Sequence, residues 1–124
     1  KLGITVLKAD LKTKHHLTFS QDIPTINEFL FIIGSTGAKT IEQRSVKTID
    51  VNDKVFTYSR KAPMLGFAGA PVLSQEKHKV IGIHRGSAGG VDGGNPKKGE
   101  ALRIDNIMSY LSSLGIEIPK PKFR

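Results

Sequence analysis

The chain contains no cysteine and no tryptophan, and only two tyrosines. Without cysteine it forms no disulfide and no thiolate-ligated metal site, an absence that fits a reducing compartment. Two tyrosines leave few side chains on which nucleic-acid bases could stack. No stretch approaches the ~18 consecutive apolar residues of a membrane-spanning helix, so no membrane segment is expected. The opening run Lys1-Leu2-Gly3-Ile4-Thr5 has no apolar stretch ending in a small-residue cleavage site and does not read as a signal peptide. Acidic side chains are scarce as well: 11 Asp and Glu face 19 Lys and Arg, a formal net charge of +8.

That surplus sits in small clusters: Lys12 and Lys14, Lys77 and Lys79, Lys97 and Lys98, and Lys120, Lys122 and Arg124. It attracts polyanions through counterion release, which makes RNA a candidate partner. A solvated lysine-rich surface accounts for the same composition. A chain of 124 residues is one domain or part of one, with a modest core.

Hydrophobic patterning divides the chain into short elements. Ile4 to Lys8 is β-branched and apolar and reads as a strand. Ala9 to Thr25 is polar and reads as a connection, with turn chemistry at Asp22-Ile23-Pro24. Phe29 to Ile33 is a continuous apolar run whose length suits a buried strand. Lys39 to Ile49 alternates and reads as one or two strands; Val55 to Tyr58 alternates again. Val72-Leu73 and Val80 to Ile83 are two further strands, joined by the charged turn Gln75-Glu76-Lys77-His78. Ser87 to Gly99 holds five glycines, one proline and two lysines without periodicity, and is expected to be a long surface loop. Ala101 to Ile104 leads into a helix, with Asp105 as N-cap, Ile104, Ile107, Met108 and Leu111 at helical spacing, and Gly115 as stop. Six or seven short strands followed by one terminal helix predict an all-β fold, an antiparallel barrel or sandwich.

Two short signatures carry chemistry. Residues 66 to 71 read Gly66-Phe67-Ala68-Gly69-Ala70-Pro71, and Val80-Ile81-Gly82-Ile83-His84-Arg85-Gly86 follows. Together they resemble the active-site turn (Gly-x-Ser/Cys-Gly-x-Pro) and substrate-binding strand of chymotrypsin-fold proteases. The nearest likeness is to picornain-like and potyviral polyprotein-processing proteases, which carry Gly-x-Cys-Gly and then Gly-x-His. The likeness spans Ile26 to Leu114 and reaches Ile4 to Thr25 loosely. It implies a Greek-key barrel, the second of two, with a C-terminal helix. Residues 1–25 would be the last strand of the first barrel and the inter-barrel connection. Residues 26–117 would be the C-terminal barrel with its helix, and 118–124 a basic, proline-rich tail.

The resemblance implies roles residue by residue. Ala68 stands at the nucleophile position, and a methyl group cannot attack a carbonyl, so the chain as written is not a peptidase by that mechanism. The backbone N–H groups of Gly66 and Ala68 would form the oxyanion hole. His84 would line the S1 pocket and donate to a P1 glutamine or glutamate, with Arg85 and Gly86 continuing the strand that pairs with substrate. Pro63 replaces the threonine that often supplies a second S1 donor, which weakens the glutamine preference. The general base and its orienting acid would come from a first-barrel segment as partner. Gly3 or Leu2 stands near the acid's place, and neither can serve. His15 and His16 lie in a polar connection, and with His78 they show no metal-ligand spacing, so no metal or cofactor is expected. A polypeptide substrate and the cytoplasm of an infected host cell are implied. Three readings stay open: a cysteine or serine endopeptidase inactivated by design, a natural pseudoprotease that binds peptide or RNA, and an unrelated basic β-domain that binds RNA.

Overall fold

The computed structural model describes residues 4–7, 16–35, 40–59, 67–88 and 95–117. They build six strands and one helix: β1 Phe29–Gly34, β2 Glu42–Val51, β3 Val55–Ser59, β4 Pro71–Ser74, β5 Val80–Ala88, β6 Asn95–Arg103 and α1 Ile104–Ser113. Every neighbouring pair is antiparallel, in the order β1-β2-β3-β6-β5-β4, and β4 pairs back onto β1 to close a barrel. Closure removes the open sheet edges that a flat six-stranded sheet would present. The expected Greek-key β-barrel with one terminal helix is therefore what the chain forms.

Alternation along the strands sends one set of side chains inward. Leu30, Ile32, Val46, Phe56, Tyr58, Val72, Ile81 and Ala101 fill the interior, together with Phe67 and Ala70 from the β3–β4 connection. Each large side chain buried this way contributes roughly 1.5–3 kcal/mol. A second cluster lies outside the barrel, where Ile104, Ile107 and Leu111 of α1 cover Leu73, Val80 and Leu102. The helix carries its apolar residues at 3.6-residue spacing on the face turned to β5 and β6.

Three sequence expectations give way. Of the strand expected over Ile4 to Lys8, the described residues Ile4 to Leu7 are not a strand, and Lys8 lies outside the described residues. A strand needs a hydrogen-bonded neighbour, and among the described residues this segment has none; Ile4 packs on the outer cluster instead. The stretch Ser87 to Gly99 is not one loop. β5 runs to Ala88 and β6 starts at Asn95, paired Ser87↔Gly99 and Ala88↔Asn95. The backbone ladder sustains these strands without a hydrophobic pattern. Asp105 does not cap α1: the N-cap is Arg103, without a side-chain cap bond. Asp105 instead takes a two-pronged ion pair from Arg103, Nε–Oδ1 3.0 Å and Nη2–Oδ2 2.6 Å. Arg103 Nη1 also donates to the Asn52 carbonyl at 2.6 Å, and Asn106 Nδ2 to that of Asp53 at 2.7 Å. The helix start is thus tied to the β2–β3 turn. Gly115 ends the helix as expected, at φ 76°.

Candidate functional site

The turn before β4 is built on a buried anchor. Phe67 is fully buried, and the Arg44 guanidinium lies 5.5 Å from its ring centroid. The chain then reverses over Ala68 and Gly69, closed by the Ala70 N–H donating to the Phe67 carbonyl at 2.9 Å. Gly69 sits at φ 88°, the left-handed region that a side chain resists. Two more bonds clamp this turn to β5. The Gly69 N–H donates to the His84 carbonyl, and the His84 N–H to the Ala70 carbonyl, each at 2.8 Å. The clamp puts the exposed Ala68 beside the middle of β5, the strand that carries His84.

Ala68, Gly69, Ile83, His84 and Arg85, with Ile4 and Leu102, line one cleft of about 250 Å³. Its chemistry is that of an apolar slot with a polar floor and a charged rim. His84 is 1% exposed, and its Nδ1 is hydrogen-bonded to the hydroxyl of the fully buried Tyr58. The two rings stand 5.8 Å apart at 38°. This bond, from a neighbouring position across the barrel, holds the imidazole in one orientation. At the rim, Arg85 Nη1 lies 3.5 Å from Glu100 Oε2, the arginine half exposed and the glutamate largely covered. Among the described residues lining the cleft there is one imidazole and no hydroxyl or thiol, so none of them offers the serine- or cysteine-type nucleophile.

Ala68, His84 and Arg85, singled out from the sequence, come together here. Gly86 follows Arg85 on β5 at φ 149°, opposite Glu100, just past a bulge, and does not line the cleft. Gly66, Pro63 and His15 lie outside the described residues. His16 is exposed, and His78 lies 6.4 Å from the Phe31 ring; neither lines the cleft. Tyr58, Ile83 and Leu102 escaped the sequence reading. Tyr58 reads there only as an apolar position in an alternating strand, and its partner is 26 residues away.

β5 also offers an edge. It pairs with β6 through Ala88 but with β4 only through Ile83. Beyond the clamp on His84, the backbone of Arg85 to Ala88 therefore has a strand neighbour on one side only among the described residues. A second cavity of about 250 Å³ is lined by Asp22, Ile23, Pro24, Glu28, Ser74, Glu76, Lys77 and Ile81, and two of these, Lys77 and Asp22, form an ion pair at 2.5 Å. None of the candidate site residues Ala68, His84, Arg85 and Gly86 lines it. Among the described residues no group of three or more histidine, aspartate or glutamate side chains converges to hold a metal ion, and no helix is long and apolar enough to cross a membrane.

No protein-family model and no curated protein matches the chain. Solved structures do match it. Rv3671c from M. tuberculosis, as a serine-to-alanine mutant in an inactive form, superposes with a TM-score of 0.63 at 18% identity, over 85% of this chain and 56% of that one. The scabies mite inactivated protease paralogue S-I1 gives 0.57 at 13% identity, over 79% of this chain and 50% of that one. HL collagenase gives 0.57 at 17% identity, over 75% of this chain and 49% of that one. The chain thus spans about half the length of the structures it matches. At these identities the likeness establishes the fold, a chymotrypsin-like barrel domain with its terminal helix.

Proposed function

We propose that this barrel is the C-terminal half of a chymotrypsin-type peptidase architecture in which alanine stands at the nucleophile position, so that the cleft holds a peptide without cleaving it. The observation that carries this reading is the clamp of the Ala68 turn onto β5. Two 2.8 Å backbone bonds set Ala68 beside His84 in one cleft, next to a strand edge that among the described residues is paired on one side only. An extended peptide adds to that edge by main-chain hydrogen bonds, with one side chain directed into the cleft. The buried imidazole of His84, oriented by Tyr58, supplies a fixed polar contact at its floor. Arg85 supplies a cation at its rim. With the Gly66 N–H, the Ala68 N–H would form the anion cradle that such turns offer a carbonyl oxygen. The lack of a nucleophile removes hydrolysis and leaves binding.

The finer reading is the C-terminal part of a viral endopeptidase of the polyprotein-processing type, in the cytoplasm of an infected cell, inactive as written because Ala68 replaces a cysteine or serine nucleophile. It draws its support from the paired motifs Gly66-Phe67-Ala68-Gly69 and Gly82-Ile83-His84. In that reading a first-barrel segment supplies the catalytic base. Two of the compared structures, the serine-to-alanine mutant and the inactivated mite paralogue, are described as inactive and share this fold. The test is a titration with peptides selected from a display library, followed by backbone amide NMR. Shifts concentrated at Ala68, Gly69, Ile83 and Arg85, with the peptide recovered intact, support the reading. Selected peptides whose shifts fall elsewhere on the barrel overturn it.

A further inference from the structure

We infer that Arg85 makes the cleft selective for an acidic peptide, one with aspartate or glutamate two residues from the side chain directed at His84. This rests on the peptide-binding reading above and adds to it the chemistry of the ligand. The bulge in β5 is where it starts. His84 lies opposite Ala101 and Gly86 opposite Glu100, so Arg85 is the extra residue, with no partner on β6. A bulge breaks the alternation of a strand and re-aims the side chain it carries. Here the guanidinium is left at the rim of the cleft, its side chain 52% exposed.

The surroundings of Arg85 suit a carboxylate. Among the described residues lining the cleft there is no acidic side chain, so a ligand entering it meets a positive field. Glu100 does not line the cleft; it stands behind the rim, its side chain 17% exposed, with Oε2 3.5 Å from Arg85 Nη1. A guanidinium carries five N–H donors in a rigid fork, and Glu100 steadies one end of that fork. The next residue, Gly86, adds no side chain, and a methyl group there would meet nothing within 4 Å. The approach to the strand edge beside Arg85 is therefore open. An added strand presents alternate side chains to one face. When one of them is directed at His84 on the floor, its neighbour two residues away, about 7 Å along the strand, arrives at the rim. A carboxylate at that position takes the charge-assisted hydrogen bonds that the guanidinium offers.

The net charge of +8 attracts acidic peptides without any such contact, and the test separates the two effects. Peptides selected on the parent chain from a display library should carry aspartate or glutamate at the rim position. Replacing that residue by glutamine should weaken binding about two- to fivefold at low ionic strength, read by fluorescence anisotropy. Arg85→Gln should bind the acidic peptide and its glutamine form alike, at the parent's affinity for the latter. Arg85→Glu should prefer a lysine form. Lys47→Gln removes the same unit of charge from an exposed site on β2 and should keep the parent's preference. The inference fails if peptides whose amide shifts fall on Ala68, Gly69 and Ile83 show no acidic preference at the rim position. It fails equally if Arg85→Gln keeps that preference, or if Lys47→Gln loses it as fully as Arg85→Gln does. Peptides whose shifts fall elsewhere on the barrel overturn the peptide-binding reading itself, and this inference with it.

Discussion

Gly99→Ala tests the arrangement behind the cleft more sharply than any change within it. Gly99 lies on β6 with its α-carbon turned to the barrel interior, directly under Tyr58 and His84. A methyl group there would fall 2.6 Å from Tyr58 Cε1, 3.1 Å from Tyr58 Cδ1 and 3.3 Å from His84 Cε1. The first of these separations is shorter than any tolerated carbon–carbon contact, so the tyrosine ring must move. Tyr58 is fully buried among Phe56 and its neighbours, and a ring with no free volume moves only by displacing others. Overpacking of this kind costs roughly 1–3 kcal/mol. If the ring swings far enough to break the bond to His84, a buried polar group is stranded for about another 1–3 kcal/mol. Urea unfolding followed by far-UV circular dichroism should show the midpoint falling at unchanged slope. The His84 ring resonances in NMR should shift at the same time. A Gly99→Ala chain with the parent midpoint would mean that residue 99 is a surface-loop glycine after all, and the Tyr58–His84 platform would lose its floor.

Three further outcomes follow from contacts elsewhere. Tyr58→Phe removes the hydroxyl that meets His84 Nδ1 and should cost about 1–3 kcal/mol in urea unfolding; an unchanged midpoint would show that the bond contributes nothing. The Arg103 guanidinium, by its hydrogen bonds, holds the Asp105 carboxyl below its ordinary range. Its stabilisation is therefore complete above the unfolded pKa of about 3.9 and is lost as pH falls through the lower folded value. Asp105→Asn should accordingly lie below the parent chain in urea midpoint at pH 7, with the gap narrowing in strong acid, and a gap constant with pH would contradict the ion pair. Thr48 Oγ1 is buried with no hydrogen-bond partner among the described residues, so Thr48→Val should leave the urea midpoint equal or higher; a loss above about 1 kcal/mol would reveal a partner.

Much of the barrel is legible in the sequence because its strands are short apolar runs or alternate between faces. Phe29 to Ile33 and Val55 to Tyr58 read as strands for the same reason that they fold as strands: their apolar residues fit a half-buried pleat. The turn at Ala68 is legible from its glycines, since a reversal with a left-handed third residue needs Gly69. Ser87 to Gly99 is not legible. Its strand portions are held by backbone pairing, and Gly99 is small because two rings pack above it, which composition mistakes for flexibility. Ile4 to Leu7 fails in the opposite sense: it has the propensity for a strand and has no pairing partner among the described residues. Tyr58 belongs to the site only through a contact with His84 from a distant strand, and no local pattern records such a contact. Arg103 and Asp105 show the same limit, because capping rules see the aspartate but not the guanidinium that claims it.

The absence of cysteine makes the nucleophile position directly measurable. Ala68→Cys places a single thiol in the chain, and its alkylation can be timed with a peptidyl chloromethyl ketone and with iodoacetamide. Ser45→Cys, on the exposed face of β2, supplies the reference for an ordinary surface thiol. If Ala68 occupies the nucleophile's place beside a peptide-binding cleft, the ratio of peptidyl to simple alkylation rate at position 68 exceeds that at position 45 by at least about tenfold. Excess unlabelled peptide should suppress the difference. Equal ratios at the two positions would contradict the central assignment, since a bound peptide would then not deliver its reactive carbon to Ala68.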